Sequence, residues 1–301
     1  MSVFHNNALI GAGGGAAADT AANITQSVRF NDNDSAHLTR TPSSDGNRRT
    51  WTWAAWVKRA NLGGYQSLFA DQVNGGTEGA AIYFNTGDDR IIFEEYSSGG
   101  IQWKLRTQQH FVDCGAWYHL TVVFNSPAST ADERMRIYVN GSEVTDFADR
   151  TNPSQNFQGS LNRARITDIA SYGAFDTSYF DGYLADIYFI DGSALDASSF
   201  GAYDSNGVWQ AAAYSGTYGT NGFHLLDFEN ESTIGHDSSG NNNDFTAVNL
   251  LKSSGQYINA ISGTARSGFP FSQMFDGRLD HGALPAASTS YTFTPTTSIP
   301  F

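Results

Sequence analysis

The sequence predicts an all-β protein, an antiparallel β-sandwich preceded by an extended N-terminal arm. Three observations carry that expectation. Aromatic residues make up 14% of the 301 positions and charged residues only 16%, with 31 glycines; that is too aromatic for a disordered chain and too lightly charged for a surface helix bundle. Lysine, a common helix-favouring polar residue, occurs only at Lys58, Lys104 and Lys252. Short apolar-alternating segments recur roughly every ten residues between Gly, Asn, Asp and Ser clusters, as in a sandwich.

The elements follow in order. Residues 1–26 hold a short apolar patch and then a Gly/Ala run with little side chain to bury, so they read as an arm or linker. Phe4, Leu9 and Ile10 are its anchors, and an arm of this kind orders when it docks into a partner. From Ser27 to about residue 250 the pattern is β. In WTWAAWVK, Trp51, Trp53, Ala55 and Val57 share one face and Trp56 turns to the other, so this strand is expected to be central and covered twice. WYHLTVVF sets Tyr118, Leu120, Val122 and Phe124 against Trp117, His119, Thr121 and Val123. RMRIYVNGSEV alternates Met135, Ile137 and Val139, then reaches Asn140-Gly141, the dipeptide of a tight hairpin. AAIYFN, DRIIFEEYS, IQWKLRT, RARITDI and GYLADIYFID add further strands. Only SALDASSFGAY reads as a helical turn, with Ser193 or Asp196 as N-cap. Residues 251–301 form a C-terminal extension, the start of a further β domain or of a sheet completed elsewhere; its last strand-like piece, YTFTPTTSIPF, has no strand after it.

The formal charge of −13 opposes nucleic-acid binding, which draws its affinity from clustered Lys and Arg. The single Cys114 lies in a strand-like context and is expected to be a small buried hydrophobe. No basic start with an apolar run marks a signal peptide, and no apolar stretch is long enough to span a membrane. Synthesis in a cytoplasm without membrane insertion is the expectation.

In the order WTWAAWVKR, GAWYHLTVVFN, RIYVNGSEV and DGYLADIYFIDGSAL, these motifs resemble the concanavalin A-like sandwich of the laminin G and pentraxin group over roughly residues 27–249. The flanking VRFNDNDSAHLTRTPSSDGNRRTWTW and YGTNGFHLLDF…DSSGNNNDFTAVN resemble structural proteins of marine tailed phages, cyanophages among them. That resemblance implies a non-enzymatic virion protein, of tail-fibre or adhesin type. The arm would attach it to other virion proteins, a homotrimer is implied by analogy, and host-surface polysaccharide is the candidate partner. A decoration or scaffold protein without glycan binding is the alternative. Modules of this group often carry a D-x-S-G-N-x-N-D segment near a calcium position. Here Asp237, Asn241, Asn243 and Asp244 offer the hard oxygens that calcium takes. An Asx-rich turn that bonds its own backbone, or pins the loop to a neighbouring strand, is the competing reading. Asp32 and Asp34 in FNDNDSAHL form a second, weaker acidic loop.

The superfamily also holds glycosidases, whose retaining members need two carboxylates about 5–5.5 Å apart. No E-x-D-x-E strand occurs; Glu94 and Glu95 are adjacent and face opposite sides, which leaves Asp227, Glu229 and Glu231 of DFENES as a minor glycoside hydrolase hypothesis. The histidines form no zinc motif, His119 reads as a packed strand residue, and GAGGG lacks the lysine of a phosphate loop. Sugar binding needs exposed aromatic faces beside hydrogen-bonding groups. Tyr65, Tyr96, Trp103, Tyr172, Tyr179 and Trp209 lie in polar or turn-rich settings, and Tyr96, Trp103 and Trp209 are taken as the binding candidates.

Overall fold

The structure is a computed structural model describing residues 24–71, 78–172, 178–228 and 233–250, with the backbone of two further strands, 257–262 and 292–296. The anchors Phe4, Leu9 and Ile10 and the carboxylates Glu229 and Glu231 lie outside the described residues. The chain divides into two compact units, Met1–Leu251 and Lys252–Phe301.

The strands of the first unit, in chain order, are β1 (Val28–Phe30), β2 (His37–Arg40), β3 (Thr50–Arg59), β4 (Gln66–Asp71), β5 (Glu78–Phe84) and β6 (Ile91–Ser97). Next come β7 (Gly100–Thr107), β8 (Tyr118–Asn125), β9 (Met135–Val139), β10 (Ser142–Glu143), β11 (Phe147–Thr151) and β12 (Thr167–Ile169). The last are β13 (Gly182–Asp191), β14 (Gly201–Tyr203), β15 (Trp209–Ala211), β16 (Phe223–Leu225) and β17 (Thr246–Val248). One sheet of seven strands runs β1-β13-β3-β8-β9-β10, with β16 also on β13. A second sheet of eight runs β11-β7-β6-β5-β4-β12-β2-β17. Every pairing is antiparallel, so the expected all-β sandwich is the fold observed.

Between the sheets lies an aromatic core, placed there by alternation. Trp51, Trp53, Ala55 and Val57 of β3 point inward with Leu120, Val122 and Phe124 of β8. Trp51 packs against Phe93, Phe124 and Phe189, all with ring centroids within 5.7 Å. Asn140 and Gly141 both take positive φ, 48° and 82°, which lets β9 turn directly into β10 as expected. The helical turn also falls where expected, as a 3-10 turn at Ala197–Ser199 with Asp196 as N-cap.

Polar groups close both ends of the core. At one end Arg59 is fully buried over the Phe84 ring. It donates to the Phe111 carbonyl at 2.7 Å, Asp89 at 2.8 Å and Gln66 at 3.2 Å. At the other, Ser160 joins two buried carboxylates: its amide donates to Glu95 at 2.7 Å and its hydroxyl to Asp71 at 3.0 Å. Burial in low dielectric pushes Asp71 up to about 6 and Glu95 up to about 7.

The outer face of the seven-stranded sheet carries a third layer, built by residues 193–218. Trp56, Val123 and Ala185 of the sheet pack with Ala197, Trp209 and Ala211; next to them Ala54, Tyr188 and Ile190 meet Phe200, Tyr214 and Tyr218. The roof is tied down at Thr52, whose hydroxyl donates to the Ser193 carbonyl and accepts from the Leu195 amide.

Two expectations change. Cys114 is not in a strand: it sits half-buried in the turn before β8, because Asp113 and Gly115 break the extended run. The C-terminal strand-like piece does have a partner, upstream and not downstream. In the second unit β18 (Tyr257–Ser262) pairs antiparallel with β19 (Thr292–Thr296).

Candidate functional site

The outer face of the eight-stranded sheet differs from the roofed one. Among the described residues no strand layer covers it, but Tyr172 packs over its centre, where Asp168, Ala70, Ala81 and Ile92 are buried, and its two ends stay open. Its central cross-strand row runs Asp168, Ala70, Ala81, Glu94, Lys104, Thr151, each facing the next across the ladder. Beside it Tyr83, Ile92, Arg106 and Asp149 form a second row. These residues point outward because Phe93, Glu95, Trp103 and Leu105 take the alternate, inward positions.

Small side chains make the floor and tyrosines the walls. Ala70, Ala81, Tyr83 and Ile92 pack together, with Tyr172 against them. Tyr65 lies on Tyr83 at 5.6 Å between centroids and keeps 47% of its surface exposed. At the other end Tyr96 and Ile101 face each other, 39% and 49% exposed.

Polar groups in the row are fixed by one another. The Tyr83 hydroxyl donates to Glu94 Oε1 at 2.7 Å, and Lys104 Nζ lies 3.2 Å from Glu94 Oε2 and 4.0 Å from Asp149. Burial, then the neighbouring Glu94 charge, pushes the Tyr83 hydroxyl far above its ordinary value, so it remains a donor throughout the physiological range. Arg106 pairs with Asp88, which also faces Arg90 at 3.7 Å. Burial pulls the Asp88 carboxyl up, but hydrogen bonds from Arg106 and Asn85 outweigh it and hold that group below its usual range.

Of the three aromatic binding candidates, Tyr96 alone is on this face. Trp103 points into the core, 1% exposed, between Phe93 at 4.5 Å and Phe124 at 5.2 Å, so no sugar can stack on it. The cause is alternation along β7, which sends Trp103 and Leu105 in and Lys104 and Arg106 out. Trp209 is 8% exposed because it is the plug of the third layer, over His119 and beneath Tyr203. A Cβ added to Gly141 would come within 2.3 Å of the Trp209 ring, and one on Gly201 within 2.4 Å, so both glycines are required for its seating. Tyr179 lies against His37, away from the two rows.

The loop 236–245 folds around a carboxylate that faces inward. Asp237 is 3% exposed; its Oδ1 accepts from the amides of His224 and Ser239, both at 2.9 Å. Its Oδ2 accepts from the Ser239 hydroxyl at 2.8 Å and the Asn243 amide at 2.9 Å. Four donors on two oxygens occupy the lone pairs that a cation would need. The amide nitrogens of Asn241 and Asn243 donate to carbonyls of Gly219, Thr220 and Gly222, and Asn243 Oδ1 accepts from Arg40. Asp244 accepts from the Asp237 amide at 2.8 Å and contacts His236. This donor set does not fit a calcium ion. Its geometry is that of an Asx turn pinned to β16, and among the described residues no group of three or more His, Cys, Asp or Glu is placed to hold a metal. Asp32 and Asp34 likewise belong to a 3-10 turn capped by Asn31.

Sequence reading missed two polar knots that position these loops. Asp191 accepts from Asn162 Nδ2 at 2.6 Å, the Asn47 amide at 2.7 Å and the Asn221 amide at 3.0 Å. At a bulge in β13, Asp186 takes φ 52° and meets His224 Nε2 at 2.7 Å, with the His224 ring stacked on Tyr188 at 4.0 Å. Their partners lie 13 to 144 positions apart in sequence for these contacts and the Asp237 contact to β16, so no local motif announces them.

Two antiparallel sheets packed face to face in this order make a lectin-like sandwich. The chain belongs to the concanavalin A-like lectin/glucanases superfamily, whose laminin G-type model matches residues 30–199. No curated protein matches the sequence. Among solved structures it is similar to a native heptameric SAP-like pentraxin from Limulus polyphemus, at 16% identity over 56% of this chain and 76% of that one, TM-score 0.41. It is also similar to a putative carbohydrate binding protein from Bacteroides ovatus, at 13% identity over 73% of this chain and 57% of that one, TM-score 0.48. A third is the enzymatically active domain of bacteriophage CBA120 tailspike protein 2, at 10% identity over 64% of this chain and 30% of that one, TM-score 0.39. No helix among the described residues is long and apolar enough to cross a membrane.

Proposed function

We propose that the chain is a non-catalytic carbohydrate-binding part of a virion, of tail-fibre or adhesin type, taking host-surface glycan on the outer face of the eight-stranded sheet. The observation that supports this most is the asymmetry of the two outer faces. One is roofed by the chain's own aromatic layer, while the other presents the exposed rings of Tyr65 and Tyr96 at the two ends of a fixed Tyr83–Glu94–Lys104 cluster. Flat apolar rings beside oriented donors and acceptors are what sugar C–H faces and hydroxyls require.

The carboxylates support recognition and not hydrolysis. On the face, Glu94 is engaged by Tyr83 and Lys104; Asp71 and Glu95 are sealed in the core end on Ser160. A retaining glycosidase needs two carboxylates open to one substrate. In this reading the arm, through Phe4, Leu9 and Ile10, attaches the module to other virion proteins and the assembly is a homotrimer. The resemblance of the flanking segments to tailed-phage structural proteins supports both.

A glycan array on the purified chain, read in calcium and again in EDTA with the sugars checked for cleavage, tests the proposal. Binding equal in both buffers, without cleavage, is expected, since the Asp237 oxygens already accept three amides and a hydroxyl. Cleavage would overturn the non-catalytic reading. Silence in both buffers would leave the purely structural decoration or scaffold role in its place.

A further inference from the structure

Resting on that reading, we infer that the glycan taken on the eight-stranded face is an uncharged chain of several sugars laid along the strands. Charge is the first ground. Every described cation of the two rows already faces a carboxylate: Lys104 has Glu94 and Asp149, and Arg106 has Asp88. Glu94, Asp149 and Asp88 against Lys104, Arg106 and Arg90 leave the rows and their ion-pair partners with no positive excess, within a chain of formal charge −13. A sulfated or carboxylated glycan would have to break an ion pair to gain a counter-charge, against the repulsion of the whole molecule. Hydroxyls need no such exchange, because Lys104 and Glu94 keep part of their side chains open, 16% and 20% exposed, beyond the contact they make to one another.

Length is the second ground. The exposed tyrosines stand at opposite ends of the strands, Tyr65 on Tyr83 at one and Tyr96 at the other, with Tyr172 packed over the floor between them. A Cβ at Gly79, the cross-strand partner of Tyr96, would lie 2.6 Å from the Tyr172 hydroxyl. Gly79 and Tyr83 are four positions apart on β5, which at the rise of a strand separates the two walls by about 13 Å. One sugar cannot touch both; a chain can.

The test uses the full chain and matched polymers: dextran, mixed-linkage glucan, galactomannan and xylan, each with a sulfated or carboxymethylated derivative, by affinity electrophoresis at low and high salt. Retention by at least one neutral polymer, weakened tenfold or more on its charged derivative and unchanged by salt, is the expected result. It should weaken several-fold in Tyr65→Ala and in Tyr96→Ala, and free monosaccharides should compete poorly. Preferential, salt-sensitive retention by the charged derivatives would overturn the inference while leaving carbohydrate binding standing. Retention that either variant leaves unaltered would also overturn it, by removing one wall. No retention by any polymer would overturn both.

Discussion

The two outer faces of this sandwich start from similar alternating strands and end covered to different extents among the described residues. On the seven-stranded side, Trp56, His119, Thr121 and Tyr138 would make an aromatic, hydrogen-bonding surface if left open, but residues 193–218 cover them. His119 is then sealed between Trp56 and Trp209, with no hydrogen-bond partner on either ring nitrogen, and burial drives its pKa down to about 3. On the eight-stranded side, Glu94, Lys104 and Tyr83 satisfy one another and tyrosines stay at the surface. Aromatic content alone therefore does not mark a binding face. What marks it is whether the chain spends another of its own segments to cover those rings.

The largest effect should come from removing the cover. Trp209→Ala deletes the ring seated over Gly141 and Gly201 and should cost about 4 kcal/mol of stability, measured by denaturant unfolding. A loss below about 1 kcal/mol would mean that the roof is not a packed layer. Next comes the pin between the 236–245 loop and β16. Asp237→Ala strands three backbone amides and a hydroxyl and should cost about 3 kcal/mol. The same loss in EDTA and in calcium is expected, and a calcium-dependent loss would restore the metal reading.

The roofed layer and the core end around Ser160 should respond to pH in opposite senses. His119 titrates at 6.5 when free and at about 3 in the fold, so between those values only the unfolded chain binds the proton and stability falls as the pH drops. Asp71 and Glu95, raised to about 6 and about 7, act in the opposite sense. Their stabilisation is full in acid, below the ordinary carboxylate range, and is lost as the pH rises through their folded values. His119→Phe should therefore gain about 2–3 kcal/mol relative to the parent between pH 7.5 and 4.5. Asp71→Asn and Glu95→Gln should change the slope the other way. Parallel curves for parent and His119→Phe would show that the imbalance lies elsewhere.

The smallest stability effect belongs to the open face. Tyr65→Ala should alter stability by less than about 0.5 kcal/mol while weakening glycan retention several-fold. If stability fell by several kcal/mol instead, Tyr65 would be a covered residue and the contrast between the faces would fail.

Much of this was legible from the residues. Alternation in WTWAAWVK and WYHLTVVF assigned the two faces of β3 and β8, and Asn140-Gly141 fixed a hairpin, because both signals are carried by neighbouring residues. The same rule applied to IQWKLRT places Trp103 inside and Lys104 outside, and composition of the surroundings was the weaker guide there. Trp209 was not legible, since its burial depends on the β14–β15 hairpin folding over a strand about 90 positions away.

The sequence by itself determined a light-charged, aromatic, antiparallel sandwich and the turn chemistry that punctuates it, because period-two patterning and positive-φ dipeptides are local. Only the tertiary structure decided which aromatics stay exposed, that Asp237 faces inward to amides, and that Glu94 meets Tyr83 and Lys104. Those outcomes depend on long-range register and on which segments cover which sheet, and no stretch of ten residues holds that information.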